Sequence, residues 1–283
     1  MITDSFDNQT EPIFTLKDFY GEKKKMVDTC IIIFSIEIYE TVLTTYCCTK
    51  IAEINAPNGA VPIYKFSYEG KEIAFYLSAI GSTGTSEYCI EANWLTGAEK
   101  FIMFGSAGSL NKERTQGRFV VPTEAYRDEG ISYHYAPPCD YIEIKNHEKI
   151  AAIFEELHFP YVKGRVWTTD AFLRETAGQV AVRQKEGCIA VEMELAGVQS
   201  VCDYYGFDLY DFLVTGDVLS EDRYEVEGFN DANHNLDKFY IAKGSIAVGL
   251  LSAFSGFLYG AAYLVVSKDY RKALPLMCLM FIL

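Results

Sequence analysis

A chain of 283 residues is long enough for one large α/β domain with a substantial core, which favours a single domain over two. Its formal net charge of −14 excludes a basic face for nucleic acid, because neutralising phosphates requires clustered Lys and Arg. The eight cysteines include no C-x-x-C pair, and the adjacent Cys47 and Cys48 are badly spaced to bridge each other or to share a metal, so they read as reduced thiols of a cytoplasmic protein without a leader peptide.

Residues 1–28 are polar and charged and read as an irregular arm. The run from Thr29 to Ser35 is continuously apolar, as in a strand buried on both faces of a parallel sheet, and Ile36 to Tyr46 follows as a helix carrying Glu37. Ile63–Tyr68 and Lys71–Leu77 form a hairpin pattern around Glu69 and Gly70. Two turns rich in glycine and hydroxyls come next, Ala79 to Thr85 before a helix at Ser86–Leu95, and Phe104 to Ser109 at the end of a strand. Such turns offer backbone N–H groups to an anion. Asn146 to Leu157 has the spacing of an amphipathic helix.

Three strand ends then carry acids. Val166 to Phe172 ends in Thr168, Thr169 and Asp170. The run Cys188–Val191 ends in Glu192, Met193 and Glu194 and opens a helix at Ala196. Phe212–Thr215 ends in Gly216 and Asp217. In an open α/β sheet ligands sit at the carboxyl ends of strands, so parallel strands would gather these acids in one cleft. Beyond them, residues 220–231 read as an acidic loop able to fold over the site, and 236–254 as a closing helix. The uncharged stretch 244–267 is long enough to span a bilayer, although its first part belongs to the closing helix, and membrane attachment through residues 256–283 stays open beside simple packing.

The segments GCIAVEMELAGV, WTTDAFLRE, FLVTGD, KFIMFGSAGSL and GRFVVPTEAYRDEGISYHYAPP resemble, in order and spacing, the nucleoside phosphorylase and nucleosidase superfamily. The resemblance implies an α/β domain over residues 29–255, with a mixed twisted central sheet flanked by helices in three layers. It implies homodimers that can build a trimer of dimers, and a small nucleoside as ligand. It implies no cofactor and no metal; inorganic phosphate is the co-substrate.

By the same resemblance Asp217 protonates the leaving base, Glu194 holds the ribose hydroxyls over Met193, Phe172 stacks on the base and Glu192 supports the pocket. Gly81, Gly105 and Ser106 frame the attacking phosphate or water. An acid at Asp217 favours a purine. Two departures matter. The position where phosphorylases commonly carry a phosphate-gripping arginine is Met103, which leaves Arg127, Arg174 and Arg183 as substitutes, with Arg174 preferred. His134, between two tyrosines, reads either as a ligand contact or as a structural imidazole. The expected reaction is phosphorolysis of a purine nucleoside to free base and pentose 1-phosphate. The alternatives are hydrolysis by water, or a silent nucleoside-binding member.

Overall fold

The structure, a computed structural model, describes residues 1–220 and 223–226. A single 3-10 turn at Ile2–Asp4 and the short helix α1 (Leu16–Tyr20) interrupt the N-terminal arm. The arm is pinned rather than loose. Trp94 Nε1 donates to the Gly21 carbonyl at 3.0 Å, and the Tyr20 hydroxyl donates to Glu91.

The apolar run predicted first is β1 (Thr29–Ile33), buried at every position. It feeds α2 (Ile36–Thr45), whose start is capped by Ser35 accepting from the Ile38 N–H. The hairpin is longer than its sequence signal. β2 (Thr49–Ala56) precedes β3 (Gly59–Tyr68) and β4 (Lys71–Leu77), and the turn between the last two needs positive φ at Glu69 and Gly70, 48° and 75°. The sequence reading missed β2 because its apolar residues are diluted by charged ones on an open face.

The chain continues through α3 (Ser82–Thr96), β5 (Lys100–Ser109), α4 (Lys112–Thr115), β6 (Phe119–Asp128), α5 (Ser132–Tyr135), β7 (Tyr141–Glu143) and α6 (His147–Glu156). It then forms β8 (Tyr161–Thr169), a 3-10 turn at Phe172–Arg174, α7 (Ala177–Lys185), β9 (Cys188–Glu192), α8 (Leu195–Tyr205), β10 (Asp208–Leu219) and β11 (Tyr224–Val226). The predicted lid at 220–231, closing helix at 236–254 and tail at 256–283 lie outside the described residues, apart from β11. Among the described residues no helix is long and apolar enough to cross a membrane.

All eleven strands join one mixed sheet. β4, β1, β5 and β10 run parallel, as do β6, β8 and β9, while β10 meets β6 and β5 meets β9 antiparallel. The sheet therefore closes on itself through β5, β10, β6, β8 and β9. Helices cover both faces, as expected. Leu95 and Ala92 of α3 and Val198 and Cys202 of α8 pack with Tyr76, Phe101 and Met103 on one side. On the other, Ile38 and Val42 of α2 and Phe154 of α6 pack with Phe75, Phe104 and Phe212. Each large side chain buried in this way stabilises the fold by about 1.5–3 kcal/mol.

Ring closure changes how the acids meet. Parallel order was the condition for gathering the ends of β8, β9 and β10, and β10 does not run parallel to β9. The ends meet instead because β5 and β10 are long, 10 and 12 residues, and overrun their neighbours. Gly108 near the tip of β5 pairs on one side with Asp217 and on the other with Val191, the residue before Glu192. A side chain at Gly108 has no room. A Cβ there would lie 2.4 Å from Leu219 Cδ1 and 3.0 Å from Val191 Cγ1.

Candidate active site

The turn after β9 is built by its own carboxylates. Glu192 is 5% exposed, and its Oε2 accepts the backbone N–H of Glu194 and of Leu195, each at 2.7 Å. Its Oε1 accepts from the Thr168 hydroxyl, whose oxygen in turn accepts the Ala196 N–H at 3.1 Å. Glu192 thus caps α8, as an acid at a helix start does. Sequence placed it among the substrate-binding residues. Both of its oxygens accept hydrogen bonds from the protein, and through them it shapes the turn. Burial, then the charge of Glu194, pushes its carboxyl up to about 8.

Glu194 is half-buried and faces the first turn of α3. Its Oε1 accepts the Gly81 N–H at 2.7 Å, and Ser82 Oγ donates to the Met193 carbonyl at 2.8 Å. Gly81 reaches this position with φ of 95°, a backbone conformation that L side chains avoid. Gly81, expected to frame the attacking phosphate or water, has its N–H engaged by the Glu194 carboxylate. Burial raises the Glu194 carboxyl and the charge of Asp170 adds to it, against the Gly81 and Met193 hydrogen bonds that favour ionisation.

Asp217 belongs to a second group. Gly216 is an extra residue in β10, so Asp217 pairs with Gly108 where even alternation would have put Gly216. A bulge of this kind turns the following side chain to the other face. The Asp217 carboxylate consequently leans over Gly108, its Oδ1 3.6 Å from where a Cβ would stand. Burial raises its carboxyl, while a hydrogen bond from the Tyr224 hydroxyl on β11 acts the other way. Burial and the charge of Asp217 push Glu175 up to about 7. No periodic signal in the sequence marks Glu175, a residue at the end of a 3-10 turn.

The acids expected in one hollow are therefore sorted into two groups, Glu192 with Glu194, and Asp217 with Glu175. One strand, β5, separates them at Gly108. Two strand spacings amount to about 10 Å, on the scale of a nucleoside lying between a sugar-binding and a base-binding group.

The remaining predicted residues fall around this rim. Met193 is half-buried, Ser106 is exposed at the end of β5 and Gly105 is half-buried. A Cβ on Gly105 would meet Leu213 Cδ2 at 3.8 Å and Phe34 Cδ2 at 3.9 Å, ordinary van der Waals contacts. Phe172 is 56% exposed and Arg174 is exposed beside it. His134 is exposed on α5, with no side-chain hydrogen bond among the described residues. Arg127 is sequestered. It donates from Nε to Ser132 Oγ at 2.7 Å and from a terminal nitrogen to the Pro137 carbonyl at 2.7 Å, with its guanidinium over the Tyr133 ring. Arg183 stacks on Tyr126 at 3.5 Å and pairs with Glu186 at 2.8 Å. Met103 is 2% exposed in the core. Of the three arginines weighed for phosphate, only Arg174 is exposed at the surface. Among the described residues no group of three or more His, Cys, Asp or Glu is placed to hold a metal.

Residues 29–248 match the family model described as the phosphorylase superfamily. The chain belongs to that superfamily. Among curated superfamily relatives, a purine nucleoside phosphorylase of the DeoD type from Colwellia psychrerythraea is 29% identical over 149 residues, which is 50% of this chain and 62% of the relative. A guanosine phosphorylase from Halorubrum lacusprofundi is 27% identical over 154 residues, 52% of this chain and 61% of the relative. Each match spans less than two thirds of the relative's own length. Among solved structures, a futalosine hydrolase mutant of Helicobacter pylori shares the fold, with a TM-score of 0.63 over 78% of this chain and 99% of that one, at 19% identity.

Proposed function

We propose that this protein cleaves the N-glycosidic bond of a purine nucleoside, with phosphate as the acceptor of the pentose. The observation that carries the reading is the placement of two raised carboxyl groups on either side of Gly108, Glu194 fixed by the Gly81 N–H and Asp217 leaning over the strand. Breaking the bond develops positive charge on the sugar and negative charge on the base. Glu194 takes the sugar hydroxyls and supplies an anion beside the oxocarbenium-like centre, and Asp217 supplies a proton to the departing purine. Phe172, at the lip, stacks on the base. Ser106, exposed on β5, and the backbone at Gly105 beside it receive the nucleophile.

Phosphate as that nucleophile is supported by the names of the curated relatives, both phosphorylases. One observation favours water instead. Met103 is buried, Arg127 is fully engaged, Arg183 pairs with Glu186 and the Gly81 N–H is taken, so of the three arginines weighed for phosphate only Arg174 is exposed. The test is to incubate the pure protein with inosine, guanosine, adenosine and uridine, with and without phosphate, and to follow free base. Base release dependent on phosphate, and lost about 100-fold or more in Asp217→Asn, supports the proposal. Release independent of phosphate moves the reading to a hydrolytic nucleosidase. Nucleoside binding with no release from any of the four removes it.

A further inference from the structure

The amino ends of β1, β4 and β5 gather lysines, at the opposite end of β5 from Gly105 and Ser106. Thr29 is the register partner of Ile73 on β4 and of Lys100 on β5. Paired positions on parallel strands share a face, as do positions two apart on one strand, so Lys71, Thr29 and Lys100 stand on one face of adjacent strands. Lys25 joins them from the arm. Gly97 leaves room for it, since a Cβ there would lie 2.7 Å from the Lys25 Cα, and the Lys24 N–H holds the arm by the Trp94 carbonyl at 3.0 Å. The four residues line a cavity of about 420 Å³. Lys25, Lys71 and Lys100 form no ion pair among the described residues. Glu72, in the same lining, is committed to Lys65 at 2.5 Å and to the Ser67 hydroxyl, which leaves Asp28 as the other acid there. Asp208, the register partner of Lys100 on β10, accepts from Asn146 Nδ2 at 3.2 Å and does not line the cavity. Thr29 is 7% exposed, and its hydroxyl has no hydrogen-bond partner among the described residues. A buried hydroxyl among ammonium groups is a donor without an acceptor.

We propose that this cavity is a second ligand site, taking a small multivalent oxyanion whose charged groups bridge Lys71 and Lys100, with Lys25 closing one end and the Thr29 hydroxyl donating between them. In a chain with 39 acids against 25 Lys and Arg, three unpaired lysines around one hollow select for negative charge. Strands β4 and β5 lie on either side of β1, about 10 Å apart, so an anion with charged groups at two ends spans them better than a single oxyanion does. The volume suits a metabolite-sized ligand. Ammonium and hydroxyl donors converging from three strands and the arm give it charge-assisted hydrogen bonds. The cavity lies about 25 Å along β5 from Gly108, so its occupancy is independent of the chemistry proposed at Asp217.

The experiment is calorimetric titration of the full chain with inorganic triphosphate and, separately, with citrate. One equivalent should bind, more weakly as salt is added. The double variant Lys71→Gln with Lys100→Gln should bind about 10-fold or more weakly, and Thr29→Val, of the same size, about 3-fold more weakly. Arg174→Gln, changed at the candidate active site, should stay within about 2-fold of the parent. Saturation by triphosphate alone assigns the site to phosphates, by citrate alone to carboxylates, and by both to anions read by charge, each in support of the proposal. No saturation by either up to about 1 mM overturns it. So does an affinity unchanged in the lysine variant, or lost equally in Arg174→Gln, because the anion then binds elsewhere. Lys71 is exposed, so the single variant Lys71→Glu keeps the test open if Thr29→Val fails to fold; it should abolish the saturable binding, and parental affinity in it overturns the site.

Discussion

The Gly81 N–H donates to Glu194 Oε1 at 2.7 Å across 113 positions of sequence, tying the first turn of one helix to the N-cap of another. The bond fixes the Glu194 carboxylate by a rigid main-chain donor. A glycine with φ of 95° is what makes that donor available.

Gly81→Ala is therefore expected to damage the site more than its size suggests. Nothing lies within 4 Å of the added Cβ, so the penalty is conformational, about 1–3 kcal/mol of strain. Relaxing that strain rotates the N–H away from Glu194. Urea melts should show the stability loss, and kcat/KM for the nucleoside should fall about 10-fold or more. Wild-type kcat/KM in the variant would show that the hydrogen bond does not position Glu194.

Glu192 and Glu194, two residues apart, should separate stability from activity. Glu192→Ala leaves the N–H groups of Glu194 and Leu195 and the Thr168 hydroxyl without their acceptor, and is expected to destabilise the fold by about 2–4 kcal/mol. Glu194→Ala removes a half-buried side chain holding a single N–H, and should stay within about 1 kcal/mol in stability while abolishing base release. Denaturation of both variants alongside activity assays decides it, and similar melting points for the two would contradict the assigned roles.

Asp211 lies inside β10 at 2% exposure, and neither carboxylate oxygen has a hydrogen-bond partner among the described residues. Burial, followed by the charges of Glu192 and Glu194, raises it well above the ordinary aspartate value of 3.8. The folded state then keeps a proton that the unfolded chain has released, so stability contributed by this site is present at low pH and declines as pH rises above about 4. Asp211→Asn removes the decline. Relative to the parent, the variant should gain on the order of 1 kcal/mol between about pH 5 and pH 8, read from urea melts at both. A pH-independent difference between the two would contradict the assignment.

Met103 and Asp211 are direct register partners on the parallel strands β5 and β10. An arginine at 103 would enter the core beside the unpaired carboxylate. Met103→Arg is expected to be tolerated better with Asp211 present than in Asp211→Asn, by about 2 kcal/mol or more of coupling in a double-mutant cycle. Additive losses would show that the two side chains do not meet.

How much of this was legible before folding differs by element. Continuous apolar runs announced β1 and β9, the spacing at Ile150, Ala151 and Phe154 announced α6, and the small-residue run after Glu194 announced α8, because burial periodicity is a local property of the chain. The Glu192, Met193, Glu194 and Asp217 positions stood out for the same reason: acids ending apolar runs are visible in one dimension. The half-burial of Glu175 was not visible, since it follows a 3-10 turn with no periodic pattern and depends on tertiary packing.

The sequence by itself determined the superfamily segments, the alternation of strands and helices and the acids at the strand ends, all of which rest on composition and short-range pattern. Tertiary structure alone decided what each acid contacts. A bulge at Gly216 sent Asp217 to one face, ring closure brought β9 against the tip of β5, and two backbone N–H groups committed Glu192 to capping a helix. The physical reason is that hydrogen-bond partners and burial are set by residues distant in the chain, and those partners place chemically identical carboxylates in different surroundings: one capping a helix, one held by the Gly81 N–H and one leaning over Gly108.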